Sequence, residues 1–187
     1  MDAIHLTHAP LAQVEPGSLV LVGATDSDAE QYFAIVVHRA GNPVTPCLVS
    51  FRGDRGALRA VRTDLSAAEA PERVVLNLGR HFSVEPNLLE SVRTDLREQS
   101  ALRAGDLLIC DAQHLLVVES AKDTAPLVVD MATGEMSELA AASVAVVTHW
   151  SIYVRNAEGR RTCVVDTKSH RNTSISAPAS VPMQRAG

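Results

Sequence analysis

The chain has 187 residues, a formal net charge of −5 and an apolar fraction of 46%. The apolar content is enough for a buried core and excludes a wholly disordered chain, whereas the acidic balance makes nucleic-acid binding, which needs clustered Lys and Arg, an unfavoured function. Only 3% of the residues are aromatic, so the core must be built mainly from Val, Leu, Ile and Ala.

The three cysteines Cys47, Cys110 and Cys163 cannot all pair with one another, and two of them lie in apolar runs. We therefore expect free thiols and a reducing compartment. No apolar segment approaches the roughly 20 residues of a membrane-spanning helix, and the N-terminus lacks the charged-then-apolar pattern of a signal peptide. These features predict a protein that is cytoplasmic or incorporated in a particle, with no membrane contact.

The first half of the chain is predicted to be β structure. Residues 1–13 are of mixed composition and are predicted to form an N-terminal arm. A first β unit is predicted over 14–84, because short apolar runs there alternate with Gly- and Pro-containing turns. Its predicted strands cover residues 19–22, 32–38, 45–51, 58–61 and 74–78.

A connecting α-helix is predicted over residues 85–101. Pro86 suits a first helical turn, and Gly105 lies just beyond the end. The apolar residues recur at helical spacing: Leu88, Leu89, Val92 and Leu96. We expect this helix to bridge the two halves of the chain.

A second β unit is predicted over residues 102–166, because its sequence blocks repeat those of the first unit in the same order. Pro16-Gly17-Ser18 followed by an apolar run returns as Ala104-Gly105-Asp106 followed by another. Further pairs of blocks start at residues 35 and 116, at 46 and 126, at 53 and 134, and at 81 and 149. The predicted fold is therefore mainly β, with two tandem small β-barrel or sandwich-like units from an internal duplication and one bridging α-helix.

The C-terminal segment, residues 167–187, changes to a Ser-, Thr-, Pro- and Ala-rich composition without any acidic residue. Its basic residues are Lys168, Arg171 and Arg185. Such a segment is typical of a disordered tail when alone, and its charge is opposite to that of the rest of the chain. We expect these three residues to bind neighbouring protein subunits.

His81 and His149 occupy equivalent places in the repeat, and each is followed by an aromatic residue and a serine. Such a pair is one way to build a metal or catalytic site. However, no Asp, Glu or Cys lies at ligand spacing nearby, and a duplicated fold also repeats structural residues. We expect both histidines to be structural, and we expect no metal and no cofactor.

One set of residues resembles the histidine half of the NlpC/P60 family of cell-wall hydrolases. These residues are Gly105-Asp106-Leu107-Leu108, His114, Val128-Val129, Gly134 and Leu139. The resemblance implies a cysteine hydrolase in which Cys47 is the nucleophile and His114 the base. The family's Asp-Cys-Ser is replaced here by Pro46-Cys47-Leu48.

The segment from His149 to Val154 resembles the histidine strand of papain-like acyltransferases. That resemblance implies His149 as the base, with Asp166 downstream as the residue that orients it and Cys47 again as the nucleophile.

A third resemblance, to ribonuclease toxins of the MazF type, rests on residues 16–22, 28–31 and 34–37. It implies an SH3-like barrel that cleaves RNA, against which the acidic charge of the chain counts.

The favoured functional interpretation is a non-enzymatic structural or assembly protein that acts through protein–protein contacts. A duplicated β unit with extended ends suits a homo-oligomer or a larger assembly, such as a phage virion or another particle. The cysteine hydrolase and the MazF-like ribonuclease remain the alternatives.

Overall fold

A computed structural model describes residues 6–23, 31–39, 42–54, 57–65, 72–93, 102–110, 113–118, 126–139, 145–156 and 158–168. These residues are mainly in β-strands, as the sequence predicts, and form two sheets. The strands are β1 (Thr7–Pro10), β2 (Leu19–Val22), β3 (Tyr32–Arg39), β4 (Asn42–Asp54), β5 (Ala57–Asp64), β6 (Val74–Gly79), β7 (Phe82–Pro86), β8 (Val92–Arg93), β9 (Leu107–Cys110), β10 (Gln113–Val118), β11 (Leu127–Asp130), β12 (Glu135–Glu138), β13 (Ala145–Val147), β14 (Trp150–Arg155) and β15 (Arg161–Asp166). A 3-10 turn (Leu11–Gln13) and a single helical turn, α1 (Leu88–Ser91), complete the described elements.

The larger sheet has twelve strands, and its pairing order is the same in the two halves of the chain. In the first half the order is β1-β6-β2-β3-β4-β5, and in the second it is β8-β13-β9-β10-β11-β12. The registers also correspond, since Leu19 lies opposite Ile35 in the first half and Leu107 opposite Leu116 in the second. These strands form where apolar runs are bounded by turns, because buried strands need apolar side chains on both faces.

The two halves join into one continuous sheet through a parallel contact between β3 and β12. Next to this contact, Gly17 and Gly134 approach so closely that a Cβ atom on Gly134 would overlap the backbone of Gly17. A Cβ atom on Gly105 would lie 2.5 Å from the carbonyl oxygen of Leu58. Each half thus places a turn glycine, with a positive φ angle, against the hairpin of the other half.

The smaller sheet has the order β15-β14-β7 and also combines both halves. Strands β7 and β14 are antiparallel, with Val84 opposite Ile152. On either side of that pair, Phe82 lies opposite Val154 and Pro86 opposite Trp150.

The main core lies between the two sheets and contains the largest buried side chains. Trp150 is 1% exposed and Phe51 fully buried, and their rings meet edge to face with centroids 5.8 Å apart. The indole Nε1–H of Trp150 donates a hydrogen bond of 2.8 Å to the carbonyl oxygen of Gly105. One aromatic side chain of β14 thereby contacts both halves of the chain.

Two features predicted from the sequence are not found. Neither sheet closes into a barrel, because the halves share one open sheet. The predicted helix over 85–101 is also wrong in its described part: only Leu88–Ser91 is helical, and Val92–Arg93 forms β8, which pairs with β13. Residues 94–101, where Leu96 lies, are outside the described residues. Helical periodicity over a few residues did not outweigh pairing with an available strand edge.

The predicted N-terminal arm contributes to the sheet, since β1 pairs with β6 and Leu11 is fully buried. The predicted tail begins inside the fold. Thr167 is 8% exposed. Its hydroxyl accepts a hydrogen bond from the backbone N–H of Trp150 and donates one to the carbonyl oxygen of Trp150.

Candidate functional site

A cleft of about 460 Å³ opens between the two halves of the chain. One wall is the turn between β6 and β7 together with β7 itself, and the other is the start of β10 and the end of β11. The residues that line it are Arg80, His81, Phe82, Val84, Gln113, His114, Asp130, Met131 and Ala132. A volume of this size lies within the range of small-ligand sites in proteins, which is roughly 300 to 1,000 Å³.

The polar groups of the cleft are held by short hydrogen bonds across its rim. Arg80 donates from Nη2 to the carbonyl oxygen of Ala132 at 2.8 Å, which fixes the guanidinium of the first half against the second. The Oδ1 atom of Asp130 accepts the backbone N–H of Ala132, also at 2.8 Å. The backbone of Met131 donates to the carbonyl oxygen of His114 at 2.9 Å. A cation and a carboxylate are therefore both positioned at the edge of an apolar floor.

The matching registers identify the counterpart of this cleft in the other half. Ala34 lies opposite Ser50 as Leu115 lies opposite Asp130. At four of the lining positions the counterpart has buried side chains, three of them aromatic, whereas the cleft has smaller or polar ones. The corresponding pairs are Phe33 and His114, Ser50 and Asp130, Phe51 and Met131, and Trp150 and Phe82.

His81 and His149 do not share a site. His149 accepts, through its carbonyl oxygen, the N–H of Asn87, which is six residues beyond His81 along the same chain segment. At about 3.3 Å per residue, the two histidines lie roughly 20 Å apart, at opposite ends of the β7–β14 pair. His81 lines the cleft, and His149 is half-buried next to the core.

Cys47 lies in β4 with 6% of its surface exposed and donates from Sγ to Oδ1 of Asp64 at 3.0 Å. Burial, reinforced by the hydrogen bond to this carboxylate, raises the pKa of Cys47 to about 11. A nucleophilic cysteine needs the opposite environment, one that stabilises the thiolate. Arg62, which binds the same carboxylate at 2.7 Å, offsets this effect only in part.

The remaining residues of the predicted hydrolase sites lie in different places. His114 lies at the start of β10 and lines the cleft. Asp166 ends β15, where its Oδ1 atom accepts the backbone N–H of Lys168 at 3.0 Å and the hydroxyl of Ser151 at 3.4 Å. Burial, together with the charge of Asp166, raises the pKa of the nearby Cys163.

Of the basic residues predicted to bind partners, only Lys168 is described, and its side chain is exposed. Arg171 and Arg185 lie outside the described residues.

Within the described ranges, no group of three or more His, Cys, Asp or Glu side chains is arranged to hold a metal ion. No helix in the part of the chain that the structure describes is long and apolar enough to cross a membrane.

In comparisons with protein-family models, with curated proteins and with solved structures, the chain gives no match.

Two residues of the cleft, His81 and His114, are recognisable from the sequence, but as parts of different hypothetical sites. Arg80 and Asp130 were missed. The matching sequence blocks held the signal for Asp130, because a carboxylate stands there where the corresponding block of the first half has a serine followed by Phe51. A charged residue at a position that is buried in the other half indicates a different environment.

Proposed function

We propose that this protein is a non-enzymatic assembly component that associates with further copies of itself through two equivalent sheet edges. The observation that supports this most strongly is the location of its exposed leucines. Leu6, directly before edge strand β1, is 58% exposed, and Leu89, three residues before edge strand β8, is 99% exposed. Among the described residues each of these strands has a partner on one side only, and large apolar side chains beside a strand edge favour pairing with another chain.

The two edges are counterparts in the pairing order of the halves, which also favours an origin by duplication. Strand β1 borders β6, and β8 borders β13 in the same way. Around the first edge, Val74 of β6 adds 39% exposed apolar surface; around the second, Leu88 of α1 is 55% exposed. One copy therefore offers two attachment sites, which is the valence needed for rings, filaments or the shell of a particle.

The other edges are less suited to such pairing. Strand β15 begins with Arg161, whose guanidinium lies 3.7 Å from the ring centroid of Tyr153 and forms an ion pair with Glu85. Strand β7 ends at Pro86, which lacks a backbone N–H. Part of β5 lies against Gly105 of the other half. Charged side chains, proline and coverage are the usual means of protecting a strand edge.

The basic C-terminal segment supplies a second contact in this proposal. It begins after Thr167 at the end of the smaller sheet, and Lys168, Arg171 and Arg185 give it a charge opposite to that of the rest of the chain. We expect it to bind the acidic surface of an adjacent copy, and we expect this contact to weaken as salt is added.

The alternatives gain no support from the described geometry. A thiol with a pKa of about 11 is almost wholly protonated at neutral pH, so Cys47 has little thiolate for a hydrolase reaction. For a MazF-like ribonuclease, neither the open sheet nor the acidic balance of the chain is favourable.

Light scattering coupled to size exclusion tests the proposal. We expect the unmodified chain to form oligomers, and we expect the double variant Leu6→Asp and Leu89→Asp to be monomeric with an unchanged circular dichroism spectrum. Ser137→Asp is the control for each single substitution, because it adds one negative charge at an exposed position of the inner strand β12. Oligomers that persist in the double variant, or an unmodified chain that is monomeric at all concentrations, would reject the proposal.

A further inference from the structure

We propose that the cleft between the halves binds a small zwitterion of the amino-acid class, with its ammonium group on Asp130, its carboxylate on Arg80 and the neighbouring histidines, and its apolar side chain on the floor. The proposal is independent of the assembly function, because none of the residues that line the cleft belongs to β1 or β8.

The cleft and its closed counterpart differ in how their side chains fill the space. In the counterpart, Phe33 is 1% exposed, Phe51 fully buried and Trp150 1% exposed, so these aromatic side chains fill the space. In the cleft the corresponding residues His114 and Phe82 are only partly buried. Two parts of one chain with the same strand pairing thus differ in that one is a packed core and the other is open and polar. Closing the cleft with apolar side chains is compatible with the fold, so its polar lining calls for a different explanation.

The cleft carries one positively charged and one negatively charged side chain, Arg80 and Asp130. The Oδ1 atom of Asp130 accepts the N–H of Ala132, and the described residues provide no hydrogen bond to Oδ2. The Arg80 guanidinium uses one Nη for the carbonyl oxygen of the same Ala132, which leaves its other N–H groups at the rim. The Arg80 guanidinium, which can bind an anion, and the Asp130 carboxylate, which can bind a cation, therefore both contact Ala132. A ligand with a carboxylate and an ammonium a few bonds apart matches both groups, whereas a simple anion would meet the charge of Asp130.

The floor of the cleft is apolar. Met131 is 3% exposed, and Phe82 and Val84 pack against the main core with one part of their surface towards the cleft. An apolar surface with a few convergent polar groups is the usual composition of a small-ligand site. The volume of about 460 Å³ accommodates an amino acid with a large apolar side chain. We therefore expect phenylalanine and leucine to bind more tightly than glycine.

The imidazoles of His81 and His114 complete the carboxylate side. Neither side chain has a hydrogen-bond partner among the described residues, and both line the cleft. Each ring offers an N–H donor to a carboxylate oxygen. Together with Arg80, the two imidazoles supply the hydrogen-bond donors for the ligand carboxylate.

Isothermal titration calorimetry with L-phenylalanine as the probe tests the proposal. We expect saturable binding with one site per chain, which weakens more than about tenfold in Asp130→Asn and in Arg80→Gln, because each loses a hydrogen bond to a charged group. N-acetyl-L-phenylalanine, which lacks the ammonium group, should bind to the unmodified protein as weakly as L-phenylalanine binds to Asp130→Asn. Phenethylamine, which lacks the carboxylate, should match Arg80→Gln in the same way.

Glu138→Gln and Arg155→Gln are the matched controls, because each neutralises an exposed charge outside the cleft and should leave the affinity unchanged. His114→Phe introduces the residue found at the corresponding place in the closed counterpart, and we expect it to abolish binding without lowering the midpoint of thermal unfolding. The proposal is rejected if L-phenylalanine does not bind at 10-millimolar order, if N-acetylation leaves the affinity unchanged, or if the two cleft-charge variants bind as well as the controls do. Binding measured in the double variant Leu6→Asp and Leu89→Asp separates this result from that of the assembly proposal.

Discussion

Val84 and Ile152 lie directly opposite each other at the centre of the β7–β14 pair. They are also the fourth residues of the two repeated blocks His81-Phe82-Ser83-Val84 and His149-Trp150-Ser151-Ile152. When corresponding positions of the two halves face each other in an antiparallel pair, the halves are related by an approximate two-fold axis through that pair. This relationship explains why Phe82 lies opposite Val154 while Trp150 lies opposite Pro86, and why each half places a turn glycine against the other.

The first prediction concerns Trp150. Trp150→Ala should lower the free energy of unfolding by about 3–5 kcal/mol, because it leaves a cavity beside Phe51 in the main core. Trp150→Phe should cost less, about 1–3 kcal/mol, mainly because the carbonyl oxygen of Gly105 loses the indole donor. Urea unfolding followed by circular dichroism measures both values. Equal stability of the unmodified chain and Trp150→Ala would contradict the location of Trp150 in the core.

The second prediction concerns the contact of the glycines. Gly134→Ala should destabilise the protein by more than about 2 kcal/mol, because the new Cβ atom overlaps the backbone of Gly17 and the φ angle of +72° is unfavourable for alanine. Gly159→Ala is the matched control: its φ angle is +76°, but nothing lies within 4 Å of the new Cβ atom. The free energy of unfolding of the control should fall by only about 1 kcal/mol, because backbone strain is its only cost. Similar losses in the two variants, measured by urea unfolding, would show that the halves do not approach at Gly134.

The third prediction concerns the ionisation of Cys47. In a Cys110→Ser and Cys163→Ser background, the rate of alkylation by iodoacetamide should rise with an inflection near pH 11, because burial and Asp64 oppose the thiolate. Asp64→Asn should shift the inflection to lower pH. An inflection below pH 8 in the unmodified background would instead indicate an activated thiol and support the hydrolase alternative.

The same ionisation makes stability depend on pH. The pKa of Cys47 is raised in the folded state, from 9.0 to about 11, so the unfolded chain loses this proton first as the pH rises. The contribution is fully present below about pH 9 and is lost as the pH approaches 11. Cys47→Ala should therefore show a smaller fall in the midpoint of thermal unfolding between pH 9 and 11 than the unmodified chain.

The fourth prediction concerns the boundary between fold and tail. At a protein concentration low enough to keep the chain monomeric, a chain truncated after Lys168 should unfold at the same urea concentration as the full chain. Truncation after Asp166 should cost about 1–3 kcal/mol, because Thr167 holds the backbone N–H and carbonyl of Trp150. Thr167→Val in the full chain should reproduce part of that loss. If both truncations were equally stable, Thr167 would not belong to the fold.

Local patterns in the sequence predicted the strands well but not the way in which they combine. Apolar runs such as Leu19–Val22 and Leu107–Cys110 indicated strands because a buried strand needs apolar residues on both faces. Helical spacing from Leu88 onward was misleading, since Val92 and Arg93 pair with β13, a long-range contact that no local pattern reveals.

The candidate site illustrates the same limit. His81 and His114 were recognisable as polar residues beside strands, but their meeting in one cleft depends on β7 lying across the start of β10. Asp130 and Arg80 come together only because Arg80 reaches Ala132, 52 residues away in sequence. Residue spacing within a single sequence does not reveal a site whose residues lie so far apart along the chain.

Hydrogen–deuterium exchange of the edge strands during dilution distinguishes an assembled from a monomeric chain, since association through β1 and β8 would bury their backbone N–H groups. We predict that peptides containing β1 and β8 are protected at high protein concentration and lose that protection on dilution, while the inner strands β2 and β9 stay protected throughout. Exchange of β1 and β8 that is fast and independent of concentration would contradict assembly through these edges.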